Sequence, residues 1–309
     1  MQIALPKKQA LPYLALVIAI LATSGGGFLV RWANAPGMVT VFYRTSISSI
    51  LVAPFLTRKF NNNQNFPKGI IRYIPIAMLG GLFIALDQAS WSSSLLMTKM
   101  ANTTYFNSLA PLWVAIFALI FFKEKLPAIF WVGLFLALGG TMLILGFDLM
   151  KMPDIRSGDM LGLLSSFFFG GYLLVTQMGR RHMDTLTYTW IATFSAALCL
   201  GLINLIFRQS IIGYPPTSYM FFLGSALLSQ VIGYLSISYV LGHLPATIVS
   251  PALLTKPINV AILAFIIFGE SLSYRELIGG VFVLLGLYLI NKNELKLSKK
   301  SNFLDKSLN

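Results

Sequence analysis

The chain has 309 residues, 56% of them hydrophobic and only 11% charged, and its mean hydropathy is +0.76. A soluble domain carries about 25% charged residues, so that class is excluded. The formal net charge of +13 would suit nucleic acid, but the charges cluster between long apolar runs, which excludes that partner. The single cysteine, Cys199, excludes disulfides and a Cys/His metal site.

Ten apolar runs have roughly the 17–25 residues that cross a bilayer as a helix. Their continuity excludes barrel strands, which alternate with a polar lumen face. The first, Leu11–Val30, follows Lys7 and Lys8 and contains Gly25-Gly26-Gly27. No Gly-Lys-Ser/Thr follows the glycines, so they are not a phosphate cradle; Thr23-Ser24-Gly25 is a poor cleavage site, so the run is expected to be a span and not a cleaved signal. Met38–Leu56 contains Arg44. Tyr73–Ser93 contains Asp87, Ser90 and Trp91, which with Ser94 form an i, i+3, i+4, i+7 stripe. Ala101–Phe122 carries Thr103, Asn107, Ala110 and Pro111 at helical spacing, and Glu124 follows it. Ala128–Phe147 places Gly133 and Gly140 on one face. The remaining runs are Met160–Met178 with Tyr172 and Thr176, Leu186–Phe207 with Cys199, Ser218–Tyr239 with Gln230 and Tyr234, Ala246–Phe268 with Thr255, Lys256, Pro257 and Asn259, and Glu276–Ile290 with Gly279 and Gly286.

The last two runs of the first five return in the last two of the second five, at one offset of 146 residues (Pro111 to Pro257). At that offset Pro111, Ala115, Ile116, Ala118, Ile120, Phe122, Glu124 and Leu126 each meet an identical residue, and Gly133 and Gly140 meet Gly279 and Gly286. Five spans per half is an odd number, so the second half enters the membrane inverted. Such repeats are the signature of secondary transporters, with a site near the midplane between the halves. The expected fold is therefore all-α and polytopic: ten transmembrane helices as two inverted repeats, residues 1–150 and 151–295, followed by a basic tail, 296–309. Basic residues concentrate in alternate loops: Lys7, Lys8, Arg58, Lys59, Lys68, Arg72, Lys123, Lys125, Arg180, Arg181 and the tail lysines on one side, against Arg31, Lys99, Lys151, Arg156, Arg208 and Arg275 on the other. By the positive-inside rule both termini are cytoplasmic.

Pro111 and Pro257 are expected to kink their spans and serve as hinge or gating points or as packing kinks. The glycine pairs are expected to let helices approach closely. Two five-span halves, each ending in a Pro…Phe-x-Glu helix and then a glycine-containing helix, resemble the EamA-type carriers of the drug/metabolite transporter superfamily. Pro111, Glu124, Gly133, their mates Pro257, Glu270 and Gly279, and Arg44 carry the resemblance, which spans Leu11 to Asn291. It implies a multi-pass carrier of the bacterial inner membrane. The four-helix multidrug relatives bind cations on a glutamate of the first helix. Here Leu11–Val30 has no acid, which argues against that chemistry.

Of ten acidic residues, Asp87 alone lies well inside a span, and Arg44 and Lys256 are the clearly intramembrane cations. A charge at that depth costs several kcal/mol, so each is a candidate for function. Arg44 and Asp87 sit at similar depth and are expected to pair, pinning two helices. Lys256 has no acid at its level, and its mate is Ala110; it is expected to face a cavity and bind an anionic group, or else to satisfy carbonyls freed near Pro257. The candidate substrate-binding set is Lys256, Arg44, Asp87, Trp91, Asn107, Gln230, Tyr234 and Asn259, although such stripes also serve interhelical hydrogen bonding. His182 and His243 lie at span ends without metal-ligand companions, and Glu124 and Glu270 are expected to cap or tether loops. No cofactor, metal or catalytic residue is expected, nor an enzyme. The reading is alternating-access transport of small organic metabolites, amino acids or related compounds, with export favoured. The alternatives are import of a nucleotide-like or S-adenosyl compound, and multidrug efflux. The expected partners are a small-molecule substrate and the lipid bilayer, with a proton or an exchanged substrate and a homodimer left open.

Overall fold

The computed structural model describes residues 7–61, 70–146, 157–268 and 273–307. Among them nine helices are long and apolar enough to span a membrane: α1 (Ala10–Trp32), α2 (Gly37–Lys59), α3 (Ile70–Met97), α4 (Met100–Phe121), α6 (Ser157–Arg180), α7 (Thr185–Ile206), α8 (Pro216–Leu241), α9 (Ala246–Leu263) and α10 (Tyr274–Lys292). The shorter α5 (Ala128–Ile144) lies between α4 and α6. Each of the ten predicted spans is thus a helix, with ends displaced by a few residues. α5 is followed by Gly146 at φ +62°, a left-handed conformation that ends a helix and favours glycine. The last helix continues past the membrane-length segment to Ser307. Glu270, Lys68, Lys151 and Arg156 lie outside the described residues.

Two apolar cores hold the bundle. One, including Tyr172, Leu173, Tyr188, Ile237 and Val240, joins α3, α6, α7 and α8. The other, including Leu134, Leu138, Val283 and Ile290, joins α5 to α10 and reaches Ala115 of α4 and Leu254 of α9. Between α5 and α10 the backbones touch. A Cβ added at Gly133 would meet the Gly286 carbonyl oxygen at 2.7 Å, and one at Gly140 would meet that of Gly279 at 2.5 Å. Gly133 and Gly279 are repeat mates, as are Gly140 and Gly286. The contact is therefore reciprocal, as between two antiparallel copies of one helix about a two-fold axis. In lipid, where apolar burial drives little association, such close approach is what packing rests on.

Four helices are interrupted. α1 breaks at Gly25, between Lys7–Ser24 and Gly26–Trp32. Ahead of the break, Thr23 Oγ1 and Ser24 Oγ donate to the carbonyls of Ala19 and Ile20 at 2.7 and 2.6 Å, a back-bonding that bends helices. α4 consists of Met100–Asn107 and Ala110–Phe121. α9 consists of Ala246–Ala252, a 3-10 turn Leu253–Thr255, and Lys256–Phe268. In α8 a π-helical stretch, Ala226–Tyr234, separates two α-helical parts. The breaks in α4 and α9 fall at the same place in the repeat, just ahead of the two prolines. Pro111 and Pro257 start new helical segments, where a missing N–H costs nothing and the fixed φ is already helical.

Candidate functional site

All four interruptions converge on one cavity of about 340 Å³, lined by Gly26 and Gly27 of α1, Met100 and Asn107 of α4, Ser229 and Tyr234 of α8, and Lys256 and Pro257 of α9, among others. Non-helical backbone at membrane depth is tolerated where it is enclosed by protein or lines a cavity, and the volume falls in the range of small-molecule sites, about 300–1,000 Å³.

Arg44 from α2 and Asp87 and Trp91 from α3 complete the polar wall. Arg44 and Asp87 are 3% and 4% exposed. They do not form the expected ion pair: among the described residues the one pair within salt-bridge distance is Lys59–Asp184, at 2.6 Å. Asp87 Oδ1 instead accepts from Asn107 Nδ2 at 3.4 Å, and the same amide donates to Ser165 Oγ at 2.8 Å. Arg44 Nε is buried with no hydrogen-bond partner among the described residues. One arginine nitrogen and the Ser229 hydroxyl both reach the space above Gly26, where a Cβ would lie 4.0 and 3.1 Å from them. The Lys256 ammonium rests 5.3 Å from the centroid of the Phe169 ring, a cation–π contact. Contrary to expectation Lys256 does share its surroundings with an acid, since Asp87 lines the same cavity. Among the described residues no hydrogen bond ties it to carbonyls freed near the prolines.

Lys256, Arg44, Asp87, Trp91, Asn107 and Tyr234 thus share one wall, and two candidates do not. Gln230 lies behind it, accepting from Gln88 Nε2 at 3.3 Å and donating to Thr193 Oγ1 at 3.4 Å. Asn259 donates to the Thr255 carbonyl of its own helix at 3.3 Å. Pro257 lines the cavity and Pro111 does not. The stripe on α3 divides likewise: Ser94 leaves the cavity to hydrogen-bond Thr103 and the Gly158 carbonyl, each at 2.7 Å. Lining residues outside the candidate set include Gly26, Gly27, Ser229, Met100 and Phe169. The glycine run was the available signal. A Cβ at Gly27 would sit 2.5 Å from Met100 Cε, so a larger residue there would push the end of that flexible side chain aside. Among the described residues no three His, Cys, Asp or Glu side chains are grouped to hold a metal.

The cavity runs from the middle of α6, α8 and α9, at Phe169, Ser229 and Lys256, to the start of α4 at Met100, so it lies between the middle of the bundle and one end. At the other end polar contacts tie the helices together. Lys59 meets Asp184, and the Tyr73 and His182 rings stack at 4.0 Å, 5° from parallel. Arg180 donates to the carbonyls of Ser238, at 3.0 Å, and Met183. The backbone N–H of Ala246 donates to Gln177 Oε1 at 2.6 Å. Burial pushes the Asp184 carboxyl up, but the Lys59 ammonium and the Thr187 donors outweigh it and hold the group below the usual carboxylate value.

The model of the EamA-like transporter family matches residues 10–146 and again 156–292. The Pseudopaline exporter CntI of Pseudomonas aeruginosa is 23% identical over 288 residues, covering 91% of this chain and 96% of its own length. An uncharacterized transporter of Clostridium kluyveri is 22% identical over 241 residues, 76% of each chain. A crystal structure of 15% sequence identity superimposes with a TM-score of 0.74 over 93% of this chain and 99% of that one, a shared fold. The chain belongs to the EamA-like transporter family of the drug/metabolite transporter superfamily, as a multi-pass protein of the inner membrane.

Proposed function

We propose that this chain is a secondary carrier that exports small organic metabolites bearing carboxylate and ammonium groups, amino acids or related compounds, by alternating access between its two repeats. The observation that carries this reading is the set of three charged side chains, Arg44, Asp87 and Lys256, on one buried cavity with no ion pair between any two of them. Unpaired charges at membrane depth are costly, and a ligand of complementary charge offsets that cost when it binds. The cavity between the middle and one end and the polar ties at the other fit an arrangement accessible from one side. The name of the Pseudomonas relative, an exporter, supports the outward direction.

The test is counterflow in proteoliposomes loaded with a candidate amino acid. Saturable exchange of labelled substrate that is lost in Lys256→Ala, in a protein that still folds, is the expected result. Labelled substrate accumulating in whole cells from the medium would reverse the direction, and unsaturable flux would replace the carrier with a pore.

A further inference from the structure

The cavity holds two cations in separate surroundings. Arg44 comes from α2, with one nitrogen orphaned and another beside Gly26 and the Ser229 hydroxyl. That hydroxyl is also buried, 2% exposed, with no hydrogen-bond partner among the described residues. Lys256 comes from α9 and is held over Phe169. Asp87 comes from α3, its carboxylate reached by the Asn107 amide at 3.4 Å and by the Ser165 hydroxyl. Trp91, Leu145, Phe169 and Val260 add apolar surface to the wall.

Resting on the carrier reading above, we propose that the substrate is an amino dicarboxylate: two carboxylates and one ammonium group on a partly apolar frame. One carboxylate takes the Arg44 guanidinium and the Ser229 hydroxyl, the other takes Lys256, and the ammonium takes Asp87. Formal charge selects this class. Arg44, Lys256 and Asp87 together leave one positive charge, which a ligand of net charge −1 cancels while giving each group a partner. A simple zwitterion leaves one buried cation uncompensated, which is costly. A dicarboxylate without the amine brings a carboxylate to Asp87 with nothing between them, and a dication meets two cations. A group left unpaired in such a site is what produces large discrimination between near-isosteres.

The experiment measures binding to the purified full chain by thermal shift and calorimetry, with L-glutamate, N-benzyl-L-glutamate, L-glutamine and N-acetyl-L-glutamate as probes. Glutamine lacks the second negative charge and the acetyl compound lacks the ammonium. The two amino dicarboxylates, L-glutamate and N-benzyl-L-glutamate, are each expected to bind at least about tenfold more tightly than glutamine and N-acetyl-L-glutamate, a difference of about 1.4 kcal/mol. In Lys256→Met, or Lys256→Gln if the first variant does not fold, the preference for glutamate over glutamine falls to about one. Equal binding of glutamate and glutamine by the wild type overturns the proposal, as does a preference that survives in the Lys256 variant. Failure of both dicarboxylates to bind overturns it too. If glutamine or leucine still exchanges saturably in proteoliposomes, the carrier reading stands and the substrate class alone is lost. If neither binding nor exchange occurs with any of these compounds, both fall.

Discussion

Helices α4 and α9 are the same piece of chain written twice, and the structure uses them differently. Both are broken just ahead of a proline, at matching positions. At the first residue of the second segment α4 has Ala110, 2% exposed in the apolar core, and α9 has Lys256, on the cavity. Three residues on, Trp113 of α4 donates its indole N–H to Ser166 Oγ at 2.9 Å, while its mate Asn259 donates to the Thr255 carbonyl of its own helix. The repeat supplies a common backbone, and the chemistry lies where the copies differ. A symmetric scaffold can therefore hold a site of one net charge and one orientation.

The largest expected break in this comparison comes from making the copies alike in the wrong direction. Ala110→Lys puts a cation among Val114, Phe169 and Tyr172, and an uncompensated buried charge costs roughly 3–5 kcal/mol. Little or no monodisperse protein should survive size-exclusion chromatography, whereas normal yield would mean that the α4 position has a cavity of its own. The reverse change, Lys256→Met, should fold and melt near the wild type but bind substrate about 30-fold more weakly or worse, since removing one partner of a buried charge pair costs about 2–5 kcal/mol. Unaltered affinity would remove Lys256 from the site. Asp87→Asn is isosteric and removes the partner proposed for the substrate ammonium: L-glutamate should bind about tenfold more weakly or worse, and unaltered affinity would remove Asp87 from the site. Asn259→Ala should change stability by no more than about 0.5 kcal/mol and leave binding as it was; a clear loss of binding would return Asn259 to the wall.

The smallest effect is expected at the opposite end. The carboxyl of Asp184 is held below its ordinary value by Lys59 and Thr187, so its contribution to stability is complete above the unfolded value of about 3.9. It is lost as pH falls through the depressed folded value. Both side chains are partly exposed, 28% and 42%, so the contribution is small. Melting points below about pH 4 should fall more in the wild type than in Asp184→Asn, and parallel curves would show that the pair does not matter.

The spans were legible because each run of apolar residues has nowhere else to go than the hydrocarbon. The glycine seam was legible because four glycines fall at one repeat offset. Depth along a helix could be counted, which set Arg44 and Asp87 at one level, but rotation about the axis could not, and the two groups turn to different neighbours. The placement of Gln230 failed for a related reason. Gln230 and Tyr234 are i, i+4 neighbours in a π-helical stretch, but the Gln230 amide is engaged by Gln88 and Thr193, cross-helix partners that spacing along one helix does not reveal. Met100 and Phe169 carry no polar signal at all. Their place in the cavity follows from the opening left at Gly27 and from the cation above the ring.

The reciprocal contact of α5 and α10 has a mechanical consequence. Under the proposed alternating access, an interface that maps onto itself when the two repeats trade arrangements contributes the same energy to both, so it cannot favour either. The seam of four glycines then works as an axle, carrying load without setting direction. Preference for one arrangement must come from contacts with no such twin. Lys59 and Asp184 form one, because their mates in the other repeat are Leu205 and Met38.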